Sequence, residues 1–384
     1  MKVLHYVDNL KHSDLRSDSI QTLIDAERNY AETYLAKNFD DFQKLSNDVH
    51  PDIIHLHACW DHQAYRCAKF ATKKNIPIAL STHWSLNSFA RKNEQHVEKV
   101  IKSIAYFSQL VKLVDAFVLD DEKEKKAILK QGWSNRIDII ASSILNSAIS
   151  TDSMATSMIT FYKKVLNTGY QFSMSTQEYE AMISLMTAGI DQNTNHNPLP
   201  SNQLLNLRSL NPNQWRHIFL YADDEGVRDI IDKSIQYLQL YAPNINTTEI
   251  VRYPLFLQKN LQSLDEYRDK TGKKLAKKLF ADEDIPCEYI LKDIVIAFYH
   301  TKQLYDKGTL SLLHLCNLHT LIKYNDYDED QLKDILKRMQ LYKFSRRMIK
   351  ILEEFTQLEE GFMPLIPLDD KHTKQIRNIF NKRK

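Results

Sequence analysis

The chain has 384 residues, 43% hydrophobic and 26% charged, with a formal net charge of +2. That is ordinary globular composition, long enough for two or three domains. The near-neutral balance excludes a molecule that is, as a whole, an electrostatic trap for nucleic acid, so no nucleic-acid partner is expected.

The N-terminal apolar stretch Val3 to Val7 is broken by His5 and is too short for the core of a signal peptide. No run approaches the ~20 apolar residues of a membrane span. The cysteines Cys59, Cys67, Cys287 and Cys316 form no C-x-x-C pair. We expect reduced thiols in a cytoplasmic protein, with no disulfide framework or zinc ribbon. The seven glycines are too scattered for a Walker loop or a G-x-G-x-x-G turn. Both of those need backbone to approach a phosphate unhindered.

In chain order, Lys2 to Val7 reads as a short buried strand. A polar loop follows, then a helix over 19–37 and a second helix ending near Asp48. Pro51-Asp52 opens the strand Ile53-Ile54-His55-Leu56-His57, and 60–74 reads as a helix. Ile76-Pro77 turns into the strand Ile78 to Ser81. A helix over 93–114, a strand over 115–119, a helix over 122–131 stopped by Gly132, and a strand over 136–140 complete the alternation. Strands alternating with helices predict βαβ units and a parallel sheet. After Ser142 the pattern turns helical. Residues 154–167 and 175–188 read as amphipathic helices and 191–209 as an Asn-rich polar linker. Asn211-Pro212 with Gln214 forms a capping box. Further helices are expected over 309–324, 329–339 and 343–355. The fold class is therefore α/β followed by all-α. One Rossmann-like sheet domain spans 1–146, a helical connector and linker 147–210, and a helical domain 211–384.

Several segments carry a family resemblance. Pro51-Asp52-Ile53-Ile54-His55-Leu56-His57 resembles the P-D-hydrophobic-hydrophobic-H-x-H strand of family 4 glycosyltransferases. Ile76 to His83 resembles the family's next strand, which ends in a histidine beside the interdomain cleft. Asp115-Ala116-Phe117-Val118 and Gly132 to Ile140 resemble its later strands. The resemblance implies that 1–146 is the acceptor-side half of a GT-B fold. It also implies a hexosyltransferase-like activity, a role in surface-polysaccharide synthesis, and a sugar or nucleotide-sugar ligand in place of any resident cofactor. His83 would be the catalytic position, since the matching histidine contacts donor sugar and phosphate. Ligands of open α/β sheets bind beyond the carboxyl ends of the strands. His57, Trp60, Asp61, Asp8 and Asn9 are therefore the expected ligand-binding residues. Residues 143–384, with segments such as 215–222 and 360–364, resemble the tail of a group of bacterial glycosyltransferase-like proteins.

The chain also departs from the family pattern. Asp8 to Asp14 stands where a Gly-Gly loop is normal, and the exit strand ends Ala141-Ser142-Ser143 in place of Asn-Gly. No two glutamates are spaced as E-x7-E. These absences predict that the chain alone transfers no sugar strongly, unless basic residues of the helical half such as Arg208, Arg216 or Arg252 fold over the site or a protein partner supplies the missing donor side. Other readings compete. The chain can be a non-catalytic interaction protein whose helical half holds a partner. His55 and His57 share a strand face and, with His62, His83 and Asp61, can form a hydrolase metal site, although no metal is expected. Helices over 329–355, with Lys343, Arg346 and Arg347, can form a DNA-binding helix-turn-helix. The basic tail Lys371 to Lys384 allows weak membrane-surface contact or docking onto the protein body.

Overall fold

β1 (Lys2–Tyr6) is flanked on both sides by parallel partners in the computed structural model, β2 (Glu32–Ala36) and β3 (Ile53–Leu56). The sheet continues through β4 (Ile78–Ser81), β5 (Ala116–Leu119) and β6 (Ile137–Ile139). Its order is β2-β1-β3-β4-β5-β6, with every pair parallel. The structure describes residues 1–8, 15–57, 61–83, 106–144, 146–191, 199–253, 259–267 and 289–380, without the side chain of residue 172.

Strand periodicity sorts the side chains onto two faces. Leu4, Tyr6, Ile54, Leu56, Leu80 and Phe117 join a core with α2 (Phe39–Val49), α3 (His62–Lys73), α4 (106–111) and α5 (Glu122–Lys130). Val3, Ile53, Ala79, Ala116 and Val118 face the other way, against α1 (Leu15–Glu27) and α6 (Thr151–Thr168). Strands covered on both faces read as continuous apolar runs, and this made β3, β4 and β5 visible in the sequence.

β2 corrects the sequence reading, which placed one helix over 19–37. α1 ends at Glu27, and the chain turns and pairs Lys2 with Glu32 through Tyr6 with Ala36. Pairing along all of β1, helped by Thr33 and Tyr34, outweighs the helix propensity of the Ala- and Glu-containing run.

The first unit comprises 1–173 and 248–254. The expected boundary at 146 falls inside it because α6 lays Met154, Met158, Phe161, Tyr162 and Val165 on the sheet. Tyr253 joins the same core, and its backbone N–H donates to Thr168 Oγ1 at 2.8 Å.

The second unit comprises 174–247 and 255–383. Its described residues contain helices and no strand. Ser175–Glu178 and Asn211–Gln214 both form capping boxes, and Asp328 accepts from Gln331 N–H. Within the expected linker, Ser201–Arg208 is a helix that buries Leu207. The candidate helix-turn-helix is Glu329–Arg338 and Tyr342–Thr356. Two of its basic side chains are engaged: Arg347 pairs with Asp370 at 2.7 Å, and Arg346 Nε donates to Ile366 O at 2.8 Å, while Lys343 is exposed. The tail helix Lys371–Phe380 docks by burying Ile376 and Phe380, whose ring lies 5.2 Å from Phe355. The apolar face available for a membrane contact is thus turned inward. Among the described residues, no helix is long and apolar enough to cross a membrane.

The helices Thr176–Ile190 and Arg228–Tyr237 cross closely at Gly189. A Cβ on Gly189 would sit 2.3 Å from the carbonyl oxygen of Ile230. Backbone cannot yield as a side-chain tip does. Gly189→Ala is therefore expected to destabilise by about 1–3 kcal/mol. Gly361→Ala, with nothing within 4 Å of the new methyl, should stay within about 0.5 kcal/mol. Urea unfolding of both variants measures the difference; equal midpoints would refute the close crossing.

Candidate functional site

Parallel pairing puts His5 beside His55, and β3 continues directly into His57. These three imidazoles share the sheet face that α1 and α6 cover, and all are fully buried. Such groups must find partners inside the protein, because an unmet buried polar atom costs on the order of 1–3 kcal/mol. One chain of contacts runs towards the carboxyl end of the sheet. His5 Nδ1 is 3.0 Å from His57 Nε2, and His57 Nδ1 is 2.9 Å from His83 Nε2. His83 Nδ1 lies 3.9 Å from Asp120 Oδ2. At the inner end, His5 Nε2 is 3.0 Å from Glu27 Oε2, off the line of an ideal hydrogen bond. A second arm reaches the same carboxylate. Tyr162 Oη donates to Glu27 Oε1 at 3.0 Å, His55 Nδ1 is 2.6 Å from Tyr162 Oη, and His55 Nε2 is 2.7 Å from Ser81 Oγ.

The electrostatics follow from burial. His55 and His57 are held well below the usual histidine range, first by desolvation and then by neighbouring imidazoles. Desolvation, assisted by Arg16, pushes His83 down to about 3. Asp120 is pushed up to about 7 by burial, with Glu124 and Asp121 adding repulsion. Near neutral pH the outer end of the chain is a neutral imidazole beside a half-protonated carboxyl group. Such a pair can give or take a hydroxyl proton.

The sequence-predicted residues divide. His57 and His83 meet at the carboxyl ends of β3 and β4, but His57 is sealed in the interior and the His83 side chain is only 7% exposed. His83 also has a left-handed backbone, φ 44°, a conformation that costs a non-glycine residue about 1–3 kcal/mol and that clusters at functional sites. Asp61 is the N-cap of α3: its carboxylate accepts from the backbone N–H groups of Gln63 and Ala64 and from the Tyr6 hydroxyl. Asp8 is half-buried and raised in pKa by burial and then by Asp61, with Arg16 opposing. Asn9 and Trp60 lie outside the described residues.

Sequence reasoning missed His5, Glu27, Tyr162, Asp120 and Arg16. The signal for His5 was its place two residues before the end of an apolar strand, as for His55. Asp120 directly follows β5. Arg16 stands at the start of α1, and its guanidinium donates to the carbonyl of His57. A cation therefore acts on Asp8, at the start of the segment that replaces a glycine loop.

For the metal reading, His5, His55 and His57 bring candidate ligand atoms within 4.8 Å of one another. His62, expected to join them, is exposed on α3 against Tyr106. All six ring nitrogens of the trio already face a polar partner within 3.0 Å, so each ligand bond would replace an existing contact. The donor set as arranged fits a hydrogen-bonded network better than a metal centre. Compared with known proteins, the chain matches no family model, no curated protein and no solved structure. The resemblance to family 4 glycosyltransferases therefore rests on its strand motifs.

Stability should depend on pH in a definite direction. Below about pH 6.5 the unfolded chain protonates His55, His57 and His83, whereas the folded chain keeps them neutral. Asp120 acts oppositely, retaining a folded-state proton up to about 7. Three protons against one leave these four groups binding about two more protons in the unfolded state between pH 6 and 4.5, and His300 and His314, held down to about 4 and 3 by burial, add in the same direction. Stability then falls as the pH falls, with these four groups contributing up to roughly 3 kcal/mol per unit. Removing the carboxyl by Asp120→Asn should stabilise the protein most at pH 8, where the whole interval from 3.8 to about 7 has been crossed, and less at pH 5. Denaturant titrations across this range check both signs, and a flat profile would contradict the neutral buried histidines.

Proposed function

We propose that the sheet unit binds a sugar or a sugar nucleotide at the carboxyl ends of β1, β3, β4 and β5, as a glycosyltransferase-like protein. We infer that the chain alone transfers sugar weakly or not at all. The observation that carries this reading is the contact chain that runs from His57, at the β1–β3 switch point, through His83 after β4 to Asp120 after β5. In open α/β sheets that crevice is where ligands bind. The strand motifs ending in His57 and His83 add the resemblance to family 4 glycosyltransferases. Arg16 next to His57 supplies one positive charge for a phosphate.

The restraint on catalysis comes from charge. Departure of a nucleoside diphosphate needs preorganised donors or cations. The chain has no glycine loop at Asp8 to Asp14 and no E-x7-E pair in its helical half. Losing one such donor typically slows a reaction by about 10²–10³. A partner protein that supplies the donor side would restore the missing groups, and surface-polysaccharide synthesis is the process the resemblance suggests.

A panel of nucleotide sugars tests this reading by thermal shift and product assay. A bound ligand at 100 times its dissociation constant should stabilise by about 2.7 kcal/mol, with little product, and His83→Ala should abolish the shift. Robust turnover by the isolated chain would overturn the restraint on catalysis. The absence of any shift across the panel would overturn the ligand class.

A further inference from the structure

With Asp120 as the donor at one end and Glu27 as the acceptor at the other, the two arms of the buried network share one proton order. Protonated Asp120 offers its proton towards His83 Nδ1, so the His83 proton lies on Nε2 and points at His57 Nδ1. His57 then carries its proton on Nε2, facing His5 Nδ1, and His5 carries its proton on Nε2, facing Glu27. On the other arm Ser81 donates to His55 Nε2, His55 Nδ1–H donates to Tyr162, and Tyr162 donates to Glu27. Each hydrogen-bonded link then pairs a donor with an acceptor and both arms lead to one carboxylate, while the His83–Asp120 contact at 3.9 Å lies outside hydrogen-bond reach. Reversing any one link alone sets two protons, or two lone pairs, against each other.

We propose that this is a proton relay in which Asp120 exchanges a proton with a ligand hydroxyl and Glu27, a positioning residue, sets the direction of the imidazole chain. The proposal rests on the sugar-binding reading and names the part of the ligand engaged, a hydroxyl rather than a phosphate oxygen. When the Asp120 carboxyl swings the remaining distance from 3.9 Å into hydrogen-bond reach, its proton passes to His83 Nδ1. His83 releases its Nε2 proton to His57 Nδ1, and His57 releases its Nε2 proton to His5 Nδ1. The arriving proton is held by the His5–Glu27 pair. Asp120 is left as a carboxylate able to accept a hydroxyl proton, and the number of protons is unchanged. Each intermediate imidazole gains one proton and loses one, so no charge rests on His57 or His83.

Long-range proton–nitrogen NMR on histidine-labelled protein at pH 6, without ligand, reads the order directly, with signals assigned by single His→Gln variants. His5, His57 and His83 should each show a protonated Nε2 and a bare Nδ1, and His55 the reverse. An imidazolium at His57 or His83, a mixed order within the trio, or metal bound to these rings in the purified protein would overturn the proposal. Glu27→Gln supplies the second reading, because an amide cannot accept at both oxygen positions. One arm must then reverse: either His55 moves its proton to Nε2, or His5, His57 and His83 move theirs to Nδ1 together. A folded Glu27→Gln protein with the wild-type pattern would remove Glu27 from its role. If that variant does not fold, Tyr162→Phe, which removes the second donor to Glu27, should flip His55 and leave the trio unchanged; movement of the trio would overturn the two-arm assignment. None of these outcomes depends on ligand binding, so failure of the relay is distinct from failure of the sugar-binding reading.

Discussion

A carboxylate buried on the face of a sheet has to be met by hydrogen-bond donors or by a cation, and Glu27 at the end of α1 makes that demand on everything near it. Three elements answer it. β1 supplies His5, α6 supplies Tyr162, and β3 supplies the histidines that back both. An apolar residue at position 27 would remove the need for any of them. The polar network thus makes the mutual position of α1, α6 and the sheet a specific one, where hydrophobic packing alone would tolerate sliding. It also links the protein interior to the strand ends where His83 and Asp120 stand.

The parallel sheet was legible because its central strands are short apolar runs between turn signals, and Asp52, Pro77 and Asp115 mark their edges. β2 was not, because Glu32–Ala36 has the composition of a helix and becomes a strand only by pairing with β1. Local sequence carries no record of that partner. The histidine pair at the strand ends was legible from strand periodicity and chain order. Its support was not: Glu27 and Tyr162 are 135 positions apart in the chain, and each alone looks like an ordinary helix residue. Asp61 shows the converse ambiguity. A carboxylate before a helix reads equally as a ligand and as an N-cap, and here the cap takes its oxygens.

The helical unit repeats the same physics with different groups. Lys259 and Glu225 are each only 3% exposed and lie 3.3 Å apart, and the backbone N–H of Leu312 also donates to Glu225. A buried pair of this kind contributes little net stability compared with apolar residues of the same shape. Breaking it leaves a charge stranded, at a cost of about 3–5 kcal/mol. It therefore acts on alternatives: packings that separate the two side chains become expensive. Asp191 does similar work, gathering Lys323 and Tyr324 and being held down at about 2, where desolvation opposes the hydrogen bonds of His319, Tyr324 and Lys323.

The return of residues 248–254 to the sheet unit bears on how such a chain can be cut and recombined. The backbone passes between the two units after 173, after 247 and after 254. Asn167 and Thr168 hold the returning segment through Val251 and Tyr253. Units of structure and units of gene are then different things. A helical module appended at one junction would leave the sheet unit a continuous stretch of chain, which it is not. Shuffling this sheet into another protein would have to carry a short piece from the middle of the helical sequence along with it. Homologous exchange at a single crossover would separate Tyr253 from the helix that holds it.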